Sequence, residues 1–217
     1  MEADGRKFRR AGPDERRDLL VAAALKCLAQ DGYAGISVRR IAKEAGVSVG
    51  LLNHHFGSLD ALIAEAYLKL SLDLTHLLQG EVDKAQSASS RLDAFLLGSF
   101  SPRILDPTLL GVWVVFWSMI RHSPSVSAAH ENSFGTYREL VERLLSGLAA
   151  EERFVIDDVR LAAIGLSAVL DGLWLEWCLN PSTFSAENGL MICRRWVKGL
   201  RLGAFDGADL NGSTLHD

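Results

Sequence analysis

Two groups of aromatic and acidic side chains stand out in this 217-residue chain as candidates for binding chemistry. Aromatic faces attract cations, and a nearby carboxylate adds charge attraction, so such residues could form a cage around a quaternary ammonium ion. Ordinary tryptophan packing in a helical core would produce the same composition. The candidates are Trp113, Phe116 and Trp117 in one apolar segment, and Asp171, Trp174, Glu176 and Trp177 in another.

The chain shows no motif for catalysis, cofactor binding or metal binding. No nucleophile–base pair, phosphate-cradling glycine loop or paired-carboxylate motif stands out in the sequence. His54 and His55 are adjacent, but neighbours on a helix point about 100° apart and cannot easily share an ion. Cys27, Cys178 and Cys193 have no metal-ligand spacing, which indicates reduced thiols in a cytoplasmic protein. We therefore expect neither an enzyme nor a metalloprotein.

Charge and apolar segments are distributed unevenly. The formal net charge is −4, but residues 1–60 hold ten Lys or Arg against eight Asp or Glu, whereas residues 61–217 hold thirteen against nineteen. Residues 1–60 are slightly basic and residues 61–217 are acidic, so any attraction to phosphates is confined to the N-terminal part of the chain. Residues 1–13 are predicted to be a flexible basic arm for phosphates or a minor groove, or a solubilising tail. The apolar run 161–179 contains Asp171 and Glu176, which argues against a membrane span.

Residues 37–56 predict two short helices with a break at Gly46. Ser37 and Ser48 are good N-caps, because each hydroxyl can accept a bond from an otherwise unpaired backbone N–H. Gly46 can end the first helix in a left-handed conformation at little cost. Two helices joined by a tight glycine turn predict a helix-turn-helix, whose second helix can enter a DNA major groove. The same arrangement also occurs in all-α proteins that do not bind DNA.

The segment Ile41–Ser48, followed by Gly50, Leu52, His55 and Phe56, resembles the DNA-binding signature of TetR-family transcriptional repressors. The similarity covers about residues 14–64. It implies an all-α fold of about nine helices. A DNA-binding head at residues 14–58 would precede a regulatory, ligand-binding and dimerisation domain at 59–203 and a flexible tail at 204–217.

Candidate DNA contacts come partly from residue type and partly from this resemblance. By type, Arg16, Arg17 and Lys43 are candidates for phosphate contacts. Two departures from the family pattern affect these expectations: Asn53 stands where tyrosine is usual, and Leu59 replaces a phosphate-gripping lysine, which predicts weaker binding. The resemblance places base or groove contacts on Arg39, Val49, Gly50, Leu51, Asn53 and His54, and phosphate contacts on Ser48 and His55.

Start and stop signals predict the remaining helices. The stop at Asp31-Gly32 ends the first, and a long helix at 59–85 carries Leu62, Ala66, Leu70, Leu74 and Leu77 on its inner side. A bend or break is expected near Gly135. The further predicted helices are 91–100, 108–122 after Asp106-Pro107, 123–150 after Ser123-Pro124, 157–179 and 185–202.

The helix at 161–179 is apolar nearly all round, so both of its sides should be covered. Together with the last helix it could pack against symmetry mates as a four-helix interface, as the resemblance implies. A core helix within one chain is the alternative. A homodimer would place two heads on one axis, to bind a palindromic operator in major grooves about 34 Å apart. The interface candidates are Leu161, Trp196 and the small residues Gly165, Ala168 and Gly172.

Trp113-x-x-Phe116-Trp117 and Asp171-Gly172-Leu173-Trp174-Leu175 resemble the regulatory domain of BetI-type repressors, which respond to choline. The similarity covers about residues 105–180. It implies a cytoplasmic repressor released from DNA by a small effector, with choline or another quaternary amine as the candidate. Two alternatives are an all-α enzyme that binds a small-molecule substrate and a helical interaction protein without DNA binding.

Overall fold

A computed structural model of the chain describes residues 13–203, and these residues form nine α-helices and no strand. Most of the predicted basic arm and the whole predicted tail lie outside these residues. The all-α prediction is confirmed. The helices are α1 (Pro13–Gly35), α2 (Val38–Glu44), α3 (Val49–Phe56), α4 (Leu59–Val82), α5 (Ala88–Ser99), α6 (Pro107–Ile120), α7 (Pro124–Glu152), α8 (Val159–Leu179) and α9 (Ala186–Arg201).

The first three helices form a compact head in which side chains cap the short helices. The Ser37 hydroxyl accepts a bond from the Arg40 N–H at 3.1 Å, and the Ser48 hydroxyl accepts one from the Leu51 N–H at 3.2 Å. Gly46 has a φ of +66°, the left-handed conformation expected at the turn. In α1 the regular helix is interrupted at Gly32, at the predicted stop, although helical turns continue to Gly35.

Helix α4 leaves the head and runs into the body, where it packs against α5 and α7 as well as α1. The Ser58 hydroxyl caps its start by accepting the Ala61 N–H at 3.1 Å. Of the predicted inner leucines, Leu62 is fully buried, whereas Leu70, Leu74 and Leu77 are only partly buried. Ala66 is buried as predicted, but the buried face also contains Ser71 and Thr75, so it differs from the predicted apolar stripe.

Two helices differ from the predicted bounds. Helix α5 begins at Ala88, three residues earlier than expected, because Ser87 and Ser90 form a capping box in which the Ser87 hydroxyl accepts the Ser90 N–H at 3.1 Å. The Glu151 carboxylate also accepts the backbone N–H groups of Ala88 at 2.6 Å and Ser89 at 3.1 Å. The sequence predicts a bend or break near Gly135. Helix α7 runs through this residue without interruption, so the prediction of a break is wrong. A side chain at Gly135 would meet no neighbour within 4 Å, which indicates that neither a turn nor close packing requires the glycine.

Helix α8 crosses the body with one side buried and the other exposed. The Asp158 carboxylate caps it by accepting the Leu161 N–H at 2.9 Å. Among the helices of residues 13–203, α8 alone has the length and hydropathy of a membrane span, and 33% of its most apolar window is buried. A helix that packs against protein on both sides has the same composition.

Candidate DNA-binding and ligand sites

Helix α3 presents the candidate groove contacts on one outer face. Val49, Gly50, Asn53 and His54 are exposed, while Leu52 is fully buried and anchors the helix. Residues three to four positions apart lie on the same side of a helix, so these exposed residues form one surface. A side chain at Gly50 would meet only the Ser48 hydroxyl, at 3.9 Å, which leaves open space above the backbone.

Two cations on α2 are free to meet an anion. Arg39 and Lys43 lie one turn apart, are exposed, and have no hydrogen bond or ion pair within residues 13–203. Arg40, by contrast, is used inside the head: its guanidinium bonds to Asp31 at 2.8 Å and to Glu44 at 2.9 Å. The bond to Glu44 is the largest cause of the raised pKa of Arg40. Both free charges therefore lie on α2, the helix that packs against α3.

Three residues that were predicted to contact phosphates are bonded within the protein or partly buried. The Arg17 guanidinium bonds to the His55 carbonyl and pairs with Glu65, so it is engaged within the protein. His55 is half-buried, and its Nε2 is buried without a hydrogen-bond partner in the described chain. Ser48 already caps α3. Arg16, which is half-buried with no such bond, remains a candidate.

An aromatic cavity lies in the body between α4, α6, α7 and α8. Its empty volume is about 490 Å³, including the part open to solvent. Phenylalanine, tyrosine and tryptophan supply six of its twelve lining residues, and Asp171 is its only acidic one. The lining consists of Tyr67, Ser71, Leu74 and Thr75 from α4, Trp113 and Trp117 from α6, His130, Ser133, Phe134 and Tyr137 from α7, and Asp171 and Trp174 from α8.

The Asp171 carboxyl is the main electrostatic feature of the cavity. Burial raises its pKa from the ordinary 3.8 to about 6. It has no hydrogen bond or ion pair within residues 13–203. The imidazole of His130 lines the same cavity, but burial lowers its pKa, so it is neutral at pH 7 and offers Asp171 no positive charge. An ionised Asp171 is therefore a half-buried negative charge without a cationic partner among residues 13–203.

Polar groups on the α7 side complete the cavity. The Tyr67 hydroxyl and the His130 Nδ1 are 2.7 Å apart, which joins α4 to α7. The Tyr137 hydroxyl is buried and has no hydrogen-bond partner in the described structure. Buried hydroxyls are normally paired, so Tyr137 is available to a polar group of a bound molecule. The cavity thus combines aromatic faces, one carboxyl and a free hydroxyl.

The structure brings four of the seven predicted ligand residues together around the cavity and places the other three outside its lining. Trp113, Trp117, Asp171 and Trp174 line the cavity. Phe116 is fully buried behind it, with its ring 5.1 Å from that of Tyr67. Glu176 is exposed, and Trp177 packs on Phe184. Glu176 and Trp177 lie outside the cavity because residues five and six positions after Asp171 point to other sides of the helix.

Sequence reasoning missed the whole contribution of α4 and α7. Polar or aromatic residues recur at helical spacing within otherwise apolar faces, as in Tyr67, Ser71 and Thr75. Such a polar line on a buried face is a signal for a cavity, because a closed core disfavours unpaired hydroxyls. His130, Phe134 and Tyr137 follow the same pattern on α7.

The outer sides of α8 and α9 form an exposed apolar surface. Leu161 is 60% exposed and Leu179 is 69% exposed on α8, and Met191 and Ile192 are partly exposed on α9. Ala168 and Gly172 are also exposed. Gly165 has a different role from the one expected, because a β-carbon there would lie 2.9 Å from Cζ2 of Trp196 in the same chain. Its small size serves packing of α8 on α9 within one chain.

Family models match both the head and the body of the chain. Residues 20–66 match the model of bacterial regulatory proteins of the tetR family, and residues 88–202 match that of the BetI-type transcriptional repressor C-terminal region. The transcriptional regulator BetI of Stenotrophomonas maltophilia is 30% identical over 185 residues, covering 84% of this chain and 91% of that protein.

Two solved structures are similar over nearly the whole chain. A transcriptional regulator from Pseudomonas aeruginosa is 47% identical, with a TM-score of 0.84, covering 92% of this chain and 96% of that one. A regulator from Saccharomonospora viridis, solved in complex with choline, is 21% identical with a TM-score of 0.72, covering 85% and 96%; this likeness concerns the fold. The chain belongs to the tetR family of bacterial regulatory proteins and is a helix-turn-helix transcriptional regulator with a BetI-type C-terminal region.

Proposed function

We propose that the protein is a cytoplasmic homodimeric repressor that binds a palindromic operator and is released by a small cationic effector in the aromatic cavity. We infer a cationic effector from one observation: the unpaired Asp171 carboxyl lies among six phenylalanine, tyrosine and tryptophan residues. We take α3 as the recognition helix.

A cation suits the cavity better than a neutral or anionic molecule. At neutral pH an Asp171 with a pKa of about 6 is mostly ionised, and a buried charge without a partner is costly. A bound cation supplies that partner, while the faces of Trp113, Trp117 and Trp174 attract it through their ring quadrupoles. An anion would add a second uncompensated negative charge. The aromatic faces favour a methylated ammonium group, which needs no hydrogen-bond acceptors.

Choline is the leading candidate within this class. It combines a quaternary ammonium with a hydroxyl, and the free Tyr137 hydroxyl can bond to that group. The BetI-type match and the choline complex of the regulator from Saccharomonospora viridis support this choice.

The apolar surface of α8 and α9 supports the dimer. Leu161, Leu179, Met191 and Ile192 expose apolar area on adjacent helices, and such patches on soluble proteins commonly mark interfaces. The same surface on a second copy would form a four-helix interface around a two-fold axis. The dimer would then carry two recognition helices, matched to operator half-sites about 34 Å apart.

Two features of the head support DNA binding: cations without ion pairs in the described residues, and an exposed face of α3. Arg39 and Lys43 can contact phosphates or bases, and the exposed face of α3 can enter the major groove. Leu59, in the position where the resemblance places lysine, is half-buried at the start of α4 and cannot replace a phosphate contact. We expect moderate affinity that falls steeply with salt.

Helix α4 connects the two activities. It starts at the head and contributes Tyr67, Ser71, Leu74 and Thr75 to the cavity wall, so a ligand that shifts this wall also shifts the head. An effector releases DNA only by binding the non-binding arrangement more tightly. A hundredfold loss of operator affinity requires about 2.7 kcal/mol of coupling.

The effector proposal is tested by calorimetric titration of choline into the purified protein at pH 7.5. We expect saturable binding, at least tenfold weaker in Asp171→Asn and unchanged in Glu176→Gln, which removes an exposed charge from the same helix. The neutral analogue of choline, with carbon in place of nitrogen, should bind more weakly. Equal binding of the analogue, or full affinity in Asp171→Asn, would show that no cation site exists.

The repressor proposal is tested by footprinting on DNA flanking the protein's own gene. We expect a palindromic protected site, lost on addition of the effector. Arg39→Ala together with Asn53→Ala should abolish protection, since both side chains are exposed on the proposed DNA-binding surface. Protection by the double variant at wild-type concentration would contradict the assignment of α3 as the recognition helix.

A further inference from the structure

Arg17 of α1 joins the end of the recognition helix to α4. Its Nη1 donates to the His55 carbonyl at 3.0 Å, and its Nη2 lies 3.2 Å from Oε2 of Glu65. The guanidinium carbon also lies 4.5 Å from the centre of the Phe56 ring. His55 and Phe56 are the last two residues of α3, and Glu65 lies in the second turn of α4. One side chain of α1 therefore contacts two other helices, α3 and α4.

These contacts have a physical basis at a helix end. The last four carbonyl groups of a helix lack partners within it, and positive charge is favourable there. The planar guanidinium can donate to the carbonyl, pair with a carboxylate and lie on an aromatic face at once, which an ammonium group cannot do. Because α3 has only eight residues and Leu52 is its one fully buried side chain, it has few other anchors.

We propose that Arg17 is a positioning residue that fixes the angle of the recognition helix relative to α4, and that it makes no phosphate contact. The proposal rests on the proposed role of α3 in DNA binding. Arg17 transmits the position of α4 to α3, so the clamp formed by Arg17, His55, Phe56 and Glu65 belongs to the path from effector to DNA.

Glu65 separates positioning from simple charge attraction. A carboxylate near the head repels DNA phosphates, so by charge alone Glu65→Gln should strengthen DNA binding. Within the clamp, Glu65 holds Arg17 against α3, so the same substitution should weaken binding. The two explanations therefore predict changes of opposite sign.

The first test measures operator affinity of the full-length protein between about 50 and 200 mM salt. Arg17→Met and Arg17→Lys should each weaken binding by about tenfold, and Glu65→Gln by about threefold. For all three, the slope of log affinity against log salt should match wild type. Arg16→Met is the matched comparison: Arg16 remains a candidate for a phosphate contact and has no bond in the described structure, so its loss should lower the salt slope by about 0.9.

Three results of this test would overturn the proposal. The first is wild-type affinity in Arg17→Lys, which keeps the charge and loses the geometry. The second is a salt slope lowered by about 0.9 in Arg17→Met, which identifies a phosphate contact. The third is unchanged or tighter binding by Glu65→Gln.

The second test needs no DNA. Amide hydrogen exchange reports local opening of α3, including the Gly57 N–H that bonds to the Asn53 carbonyl at 2.8 Å. We expect exchange in α3 to be about tenfold faster in Arg17→Met and Arg17→Lys, with α8 unchanged and with Arg16→Met like wild type. Unchanged α3 exchange in both Arg17 variants would refute the clamp. A wild-type protein that binds no duplex would instead refute the proposed function, and exchange would still test the clamp.

Discussion

The Tyr67 hydroxyl and the His130 Nδ1 are 2.7 Å apart and link α4 to α7 across the wall of the aromatic cavity. The ring of His130 also stacks on Phe134, 5.2 Å away between centroids. Because burial keeps the pKa of His130 below its ordinary value, the imidazole is neutral and the bond carries no net charge. This bond ties the helix that begins at the head to the helix that closes the cavity.

Loss of that bond should weaken the coupling between effector and operator. Tyr67→Phe removes the hydroxyl and keeps the ring packed on Phe116, so we expect a stability loss of about 1 kcal/mol. Effector affinity should change little, while the ratio of operator affinities without and with effector should fall several-fold. The measurement is DNA binding at zero and saturating effector. Tyr33→Phe, at an exposed position of α1, is the control, and an unchanged ratio in Tyr67→Phe would show that the bond plays no part in release.

Asp171→Asn should stabilise the unliganded protein at high pH. The folded-state pKa of Asp171, about 6, lies above the ordinary 3.8, so the folded state disfavours its ionised form. The resulting loss of stability develops as pH rises from about 4 to 6 and is absent below the unfolded pKa. We therefore expect the variant to gain about 2 kcal/mol at pH 8, and less at pH 5. Urea unfolding at both pH values measures this gain.

Glu176→Gln is the control for that experiment, because Glu176 lies on the same helix and is exposed. It should show no pH-dependent gain. A difference between Asp171→Asn and wild type that stays constant from pH 5 to pH 8 would mean that Asp171 does not titrate in this range.

Affinity for a cationic effector should rise with pH through the titration of Asp171. With a pKa of about 6, roughly a tenth of Asp171 is ionised at pH 5, so binding should be about tenfold weaker there than at pH 7.5. Burial raises the pKa values of Tyr67 and Tyr137, so both remain neutral in this range, and it lowers the pKa of His130, so Asp171→Asn is needed to separate the two titrations. Calorimetry at pH 5, 6 and 7.5 measures the effect. A pH-dependent affinity that persists in Asp171→Asn would assign the titration to another group.

A charge on the outer face of α8 should break the dimer. Leu161 is 60% exposed on the apolar surface, and Leu161→Lys would bury an ammonium group at the proposed interface. We expect the variant to sediment as a monomer under conditions where wild type sediments as a dimer. Leu97→Lys is the control, since Leu97 is 57% exposed on α5, outside this surface. A dimer that survives Leu161→Lys would place the interface elsewhere.

The head was predictable from the sequence because its determinants are local. Ser37 and Ser48 bond to backbone groups three residues ahead, and Gly46 needs only its own freedom to turn left-handed. Such signals lie within one stretch of chain and do not depend on the rest of the fold. The start of α5 was missed although its Ser87–Ser90 capping box is also local; only the added bond from Ala88 to Glu151, 63 residues away, depends on the fold.

The cavity was only partly predictable because it is a tertiary feature. Trp113 and Trp174 were identified by residue type, but their shared pocket depends on α4 and α7 lying between them. Phe116 and Trp177 have the same residue types and point elsewhere, so composition alone could not separate lining from core. The roles of Arg16 and Arg17 diverge for the same reason: only the fold shows which guanidinium has partners.

Helix α4 is uninterrupted, starts at the head and lines the cavity, so it connects the cavity rigidly to the proposed DNA-binding surface. From Leu59 to Thr75 this helix measures about 24 Å at the usual helical rise. A tilt of about 5° at the cavity end displaces the other end by about 2 Å, and in the proposed dimer opposite displacements would change the separation of the two heads by about 4 Å. That distance is close to the rise of one base pair, about 3.4 Å, so a tilt of this size would move the two proposed recognition helices out of step with the double helix.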